Sequence, residues 1–269
     1  MLGKYTIGSD PELFIFNRKT KKVVSAIDKI PGHKDKPFTD GLPEGFGLQT
    51  DNILAEFNIP PVIDAENFIA NIEFMKDFIR NKVKEINPNF DVLCQASAKV
   101  PTKELAHPQA REFGCDPDYC IYKQGPNQVS PAATTNLRSA GFHIHVGYPN
   151  HNIDTSLSML YYIDAYLGIP SIIYDTDVER RKLYGKAGCF RLQKYGFEYR
   201  TLSSYWIESP TRLKFIWNQL ACALNAYENG NSIPNYDLIR NTIDNNDVEL
   251  AKQLIEQYQL IDPNNVIPD

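Results

Sequence analysis

The chain has 269 residues, 42% of them hydrophobic and 23% charged, with a formal net charge of −5. That length allows one large domain or two small ones with a sizeable core, and the negative balance excludes a protein built for non-specific nucleic-acid binding. Five scattered cysteines (Cys94, Cys115, Cys120, Cys189 and Cys222) read as reduced thiols of a cytosolic protein. Cys115 and Cys120 lack the second pair that a zinc knuckle needs. The N-terminus has no signal pattern and no apolar run is long enough to span a bilayer, so a cytoplasmic location is expected.

Residues 8–16 open the chain as a strand. Alternation puts Asp10, Glu12, Phe14 and Phe16 on one face and Leu13 and Ile15 on the other. Pro11 suits the start of a strand. Two carboxylates so close repel unless water, a proton or a cation intervenes. A divalent-metal site and a solvated acidic strand end both fit. Residues 23–27 read as a return strand, closing a hairpin over 12–27. Residues 28–47, rich in Pro, Gly, Asp and Lys, read as a long polar loop carrying His33.

Residues 48–60 read as a turn into a strand ended by Pro60-Pro61. Glu56 and Asn58 share its polar face, which periodicity assigns equally to solvent or to a site. Residues 64–86 carry apolar positions at helical spacing, with Asp64 as N-cap and Asn87-Pro88 as the stop. Residues 90–100 return as a strand, and 114–136 are irregular. In Gly141-Phe142-His143-Ile144-His145-Val146-Gly147 both histidines share one face. Such a pair suits a metal or phosphate site, or a solvated edge.

Residues 154–175 predict a hydrophobic helix interrupted near Gly168-Ile169-Pro170. The charge then changes sign: Arg180, Arg181, Lys182, Lys186, Arg191, Lys194 and Arg200 face only Glu198. This is either a basic solvated face or a clamp on polyphosphate. Glu198 and Arg200 share a strand face, where they either pair with each other or set a metal carboxylate beside a phosphate-binding guanidinium. Residues 209–229 and 247–259 predict helices, and a frayed tail follows from Pro263.

In this order the stretches resemble a known family. Asp10-Pro11-Glu12-Leu13-Phe14, Glu56-Phe57-Asn58, Gly141-Phe142-His143-Ile144-His145, the basic loop Leu183–Arg191 and Glu198-Tyr199-Arg200 are similar to the motifs of the carboxylate–amine ligases of the glutamine synthetase/γ-glutamylcysteine synthetase superfamily. The chain is identified as a member of its phage-type COOH–NH2 ligases, amidoligase type 2. The resemblance implies an α+β fold: a glutamine-synthetase-like curved, mostly antiparallel sheet backed by helices, without that enzyme's small N-terminal domain. A catalytic domain over 1–242 and a C-terminal helix and tail over 243–269 are expected.

The resemblance also implies roles. Asp10, Glu12, Glu56, His143 and Glu198, with Asp51 as a further carboxylate, would hold two or three Mg2+ or Mn2+ ions. His145, Lys186 and Arg200 would face the phosphates of ATP. Arg191 would contact the transferred phosphoryl or the substrate carboxylate, and Asn58 the substrate. Glu198, Arg191 and Arg200 would be the catalytic set. The partners are ATP, a carboxylate and an amine. No nucleic acid or membrane is implied, the oligomeric state is open, and a phage-encoded chain would act in the host cytoplasm.

The chemistry accounts for these residue types. Joining a carboxylate to an amine is uphill until ATP converts the acid to an acyl phosphate. Phosphoryl transfer needs positioning and charge neutralisation more than a covalent catalyst. No G-x-x-x-x-G-K-[ST] loop is present, which leaves that work to metals and cations. A guanidino kinase, a metal-dependent hydrolase and a non-catalytic nucleotide-binding descendant are the rival readings.

Overall fold

In the computed structural model, which describes residues 3–111, 119–123, 125–126 and 135–265, the strand around Asp10 is the spine of a large sheet. Cys115 and the Lys182 side chain lie outside what is described. Strand β1 (Thr6–Asn17) is long enough to serve several ladders. Residues 6–11 pair with β10 (Phe142–Gly147), residues 7–13 with β4 (Leu54–Val62), residues 14–17 with β5 (Phe90–Leu93) and residues 15–17 with β2 (Lys22–Val24). The sheet continues outward on one side to β3 (Gly47–Asp51). On the other side come β12 (Gly196–Tyr199), β11 (Cys189–Gln193), β7 (Tyr119–Cys120) and β8 (Gly125–Pro126). Every described pairing within it is antiparallel. A separate small ladder joins β6 (Ser97–Lys99) to β9 (Leu137–Ser139).

Prolines behave differently from the sequence expectation. Pro11 lies inside β1, and Pro60 and Pro61 lie inside β4. The β1–β4 register shifts between Ile7, opposite Val62, and Ser9, opposite Ile59. Two prolines therefore oppose Gly8 alone, a bulge that absorbs residues unable to donate to the ladder. The return strand is also shorter than expected, ending at Val24, and 48–60 forms a hairpin of two strands.

Alternation decides which face is which. Ile7, Leu13, Phe57, Phe142, Ile144 and Phe197 join the main core under the helices. Helix α1 (Ala65–Ile86) buries Phe68, Ile72, Met75, Ile79 and Val83, and its first turn is capped by Asp64, which accepts from the Asn67 N–H at 2.8 Å. Helix α2 (Ile153–Ile163) runs through a π-helical turn (Asp164–Gly168) into α3 (Ile169–Tyr174), so the interruption expected near Gly168 is a change of pitch within a continuous rod. A short α4 (Val178–Leu183) follows. Helix α5 (Pro210–Glu228) begins behind the Ser209 cap. Helix α6 (Tyr236–Asp244) was not anticipated; with α7 (Val248–Tyr258) it adds Ile239, Ile243, Ala251 and Leu254 to the same core.

The tail is tied down as far as Asn265, which is buried and donates to the Phe215 carbonyl and to Gln219. Residues 266–269 lie outside what is described. No helix among the described residues is long and apolar enough to cross a membrane. On the sheet face away from the helices, Phe14 joins a second apolar cluster with Val23, Ile27, Ile53, Leu54 and Val100.

Candidate active site

Cross-strand register brings the motifs together. Asp10 pairs with His143, His145 with Glu198, and Glu198 with Arg191; Glu12 pairs with Glu56, and Glu56 with Gln49. Strands with period-two alternation thereby convert five sequence stretches into one polar face. Asp10 Oδ1 lies 3.2 Å from His143 Nδ1 and 3.1 Å from His145 Nε2. His143 Nδ1 lies 3.5 Å from Glu198 Oε1. Glu12 is buried and accepts the Gly141 N–H at 2.6 Å. Gly141 leaves room for the His143 ring: a Cβ there would stand 2.5 Å from His143 Nε2.

The carboxylates divide into two electrostatic groups. Burial alone would raise the Asp10 pKa, but His145 and then His143 outweigh it and hold the carboxyl well below its usual range. In turn Asp10 overcomes the effect of burial on His145 and raises its pKa. Glu12, Asp51 and Glu56 are all shifted upward. For Glu12 burial dominates, opposed by His143 and reinforced by Asp51. For Asp51 burial is opposed by Lys34, reaching over from the 28–46 loop. Glu56 is raised well above the usual value, by burial and then by Asp10, Asp51 and Glu12. One buried and two half-buried acids, all shifted toward neutrality, form a cation-seeking surface.

Cations border this face. Arg200 forms a close ion pair with Glu198, and its Nε donates to Tyr184 OH at 2.7 Å. Arg191 Nη1 lies 3.5 Å from Glu198 Oε2, and Gln193 donates to the same oxygen at 3.1 Å. The Glu198–Arg200 pairing left open by the sequence is thus formed. Lys186 stands on a turn between two left-handed glycines, Gly185 and Gly188. That turn is held from behind: Thr201 Oγ1 donates to the Lys186 carbonyl, the Ala187 N–H donates to Asp244 at 2.9 Å, and Arg181 donates to the Gly185 carbonyl.

The basic run is only partly a clamp. Arg180 is buried and donates to the Thr201 and Leu202 carbonyls, and Arg181 donates to Ser171 Oγ. Both spend Nη donors on the scaffold. Asn58 donates to the Gly45 carbonyl at 2.8 Å, fastening the 28–46 loop. Sequence reasoning missed Gln49, which donates to Glu56 at 2.7 Å, and Tyr195, whose hydroxyl lies 2.7 Å from His145 Nδ1. It also missed Tyr184, Gln193 and Lys34. Only Gln193 carried a signal, since it shares the parity of Arg191 on β11; the others depend on pairings across strands or loops.

A metal ion fits this arrangement. One ligand atom each from Asp10, His143 and Glu198 lies within 4.8 Å of the others. Asp10 Oδ1, both ring nitrogens of His143 and Nε2 of His145 are buried with no hydrogen-bond partner among the described residues. Buried polar atoms are ordinarily satisfied, so this concentration marks a place where something else binds. Two carboxylates and one imidazole are a donor set for a hard or borderline divalent cation.

The family described as phage phiEco32-like COOH–NH2 ligase, type 2, matches residues 114–252. The chain belongs to this family. The matched region holds His143, His145, Lys186, Arg191, Glu198 and Arg200. Asp10, Glu12, Asp51 and Glu56 precede it and are joined to it by the sheet. No curated protein sequence matches the chain. Among solved structures it is similar to a bifunctional glutathione synthetase from Pasteurella multocida, with 11% identity, a TM-score of 0.42, and coverage of 96% of this chain and 47% of the other. The chain thus spans about half the length of that protein.

Proposed function

We propose that this ligase is ATP-dependent and works through an acyl phosphate, on a scaffold of the glutamine-synthetase type. The observation that carries the reading is the joining of Asp10, His143 and Glu198 into one cluster whose third member is flanked by Arg191 and Arg200. Phosphoryl transfer calls for this juxtaposition of metal ligands and guanidinium groups.

Asp10, His143 and Glu198 would hold one Mg2+ or Mn2+, and Glu12, Asp51 and Glu56 would hold a second or third. Bound there, the ions neutralise the polyphosphate and orient it. Lys186, Arg200 and His145 face the ATP phosphates. Arg191 receives the acid. A carboxylate oxygen attacks the γ-phosphorus as the bond to ADP breaks. The amine nitrogen then attacks the acyl carbon, the C–O bond to phosphate breaks, and the nitrogen releases a proton.

Hydroxylamine tests this, because a small strong nucleophile replaces the amine. With ATP, Mg2+ and a panel of carboxylic acids, one acid is expected to give a hydroxamate with stoichiometric ADP and phosphate. ATP hydrolysis at one rate with or without every acid, and no hydroxamate, would favour a metal-dependent hydrolase instead.

A further inference from the structure

The two histidines of β10 share a face, yet their surroundings differ. Both ring nitrogens of His143 are buried with no hydrogen-bond partner among the described residues; of His145 this holds for Nε2 alone. Nδ1 of His145 is taken by Tyr195, whose hydroxyl lies 2.7 Å away. The two rings are 19° from parallel, with centroids 6.0 Å apart. One nitrogen of His145 is thus held, and the other is offered to the site, 3.1 Å from Asp10 Oδ1.

Tyr195 is placed by its backbone. It sits in the two-residue turn between β11 and β12, where Gln193 is the register partner of Gly196. The Tyr148 N–H donates to its carbonyl at 3.1 Å. At Gly196, with φ +150°, a Cβ would stand 2.1 Å from the Val146 carbonyl oxygen, so the turn closes onto β10 only with glycine there. The Tyr195 side chain then reaches back past Gly147, where a Cβ would already touch its ring at 3.7 Å. Tyr195 is 42% exposed and belongs to neither apolar cluster, so core packing does not account for this placement.

We infer that Tyr195 is a positioning residue of the nucleotide site, which fixes the His145 ring so that Nε2 meets a phosphate oxygen of ATP. The assignment rests on the reading of His145 as a phosphate contact. The bond made by one ring nitrogen decides what the other can do. With the Tyr195 hydroxyl donating to Nδ1, the ring hydrogen sits on Nε2, where a phosphate oxygen accepts it. His143 has no such holder among the described residues, and its Nδ1 faces Asp10 and Glu198. The division of labour between the two histidines follows: His143 serves the cation, and His145 the anion beside it.

Titration calorimetry of the full chain with a non-hydrolysable ATP analogue, at saturating Mn2+, tests this as a double-mutant cycle. Tyr195→Phe keeps the ring and removes only the hydroxyl. It should weaken the analogue roughly five- to tenfold, the loss of one ordinary hydrogen bond. Mn2+ affinity without nucleotide and the melting temperature should stay as in the wild type. In a His145→Ala background the same change should cost less than about twofold, because Tyr195 acts through His145. An unchanged analogue affinity in Tyr195→Phe, or an equal loss in both backgrounds, would overturn the inference. A loss of Mn2+ affinity without nucleotide would overturn it by making Nε2 a metal ligand. Weaker binding in His145→Ala but not in Tyr195→Phe would keep the phosphate role of His145 and remove that of Tyr195. Unchanged binding in His145→Ala would refute both. No saturable binding of the analogue to the wild type would refute the ATP reading itself, and the inference with it.

Discussion

Glu12 and Glu56 face each other as register partners across β1 and β4. Like charges placed directly opposite destabilise a sheet. Burial pushes both carboxyls toward the neutral form, and the charge of Glu12 adds to the effect on Glu56. Glu56→Gln should therefore stabilise the metal-free protein by about 1 kcal/mol, since the amide oxygen can still accept from Gln49. The same change should shrink the rise in melting temperature that saturating Mn2+ gives the wild type. Calorimetric melting with and without Mn2+ checks both; an Mn2+-induced rise as large in the variant would remove Glu56 from the cation site.

Arg200 commits Nη1 to Glu198 and Nε to Tyr184. Lysine cannot reproduce that fork. Arg200→Lys should lower kcat by roughly 10³-fold, as for other cations that stabilise a transferred phosphoryl group. A lysine variant with wild-type kcat would show that charge alone, or neither property, matters at this position.

The sequence made the polar face legible because strand alternation is local. Asp10 with Glu12, and His143 with His145, could be placed on shared faces from period two alone. Helix α1 was legible to its caps, because Asp64 and Asn87 signal its ends within the helix's own sequence. What failed was non-local. Pro60-Pro61 reads as a stop, yet a bulge opposite Gly8 lets β4 continue. Arg180 and Arg181 belong to a run that reads as a solvated basic face or a phosphate clamp, because charge gives no sign that the carbonyls of Thr201, Leu202 and Gly185 will claim them. Glu56 sat on a face that periodicity could not assign, and only its neighbours on β1 and β3 decide it.

Asp244 holds the Lys186 turn by accepting the Ala187 N–H at 2.9 Å. Asp244→Ala frees that turn without touching the metal cluster. The KM for ATP should rise about tenfold, the effect of a lost positioning contact of about 1.4 kcal/mol, with a smaller change in kcat. Steady-state kinetics in ATP would show this. An unchanged KM would mean that Thr201 and Arg181 suffice to hold Lys186.

Asp164, within the π-helical turn, is fully buried and accepts from Tyr199 at 2.7 Å and Tyr122 at 2.9 Å. Burial nevertheless pushes its carboxyl up to about 7, from an ordinary value of 3.8. The native state therefore binds this proton more tightly than the unfolded chain, and stability is lost as pH rises through that window. Relative to Asp164→Asn, the wild type should lose stability between pH 3.8 and about 7. Urea unfolding of both proteins across this range checks it, and parallel curves would contradict it.

Transfer of ¹⁸O tests the central claim most directly. If the acid is activated as an acyl phosphate, one oxygen of its carboxylate leaves on the phosphate when the amine attacks. With a turned-over acid labelled at both carboxylate oxygens, mass spectrometry should find one ¹⁸O in each inorganic phosphate released. Amide formation with unlabelled phosphate would contradict the account.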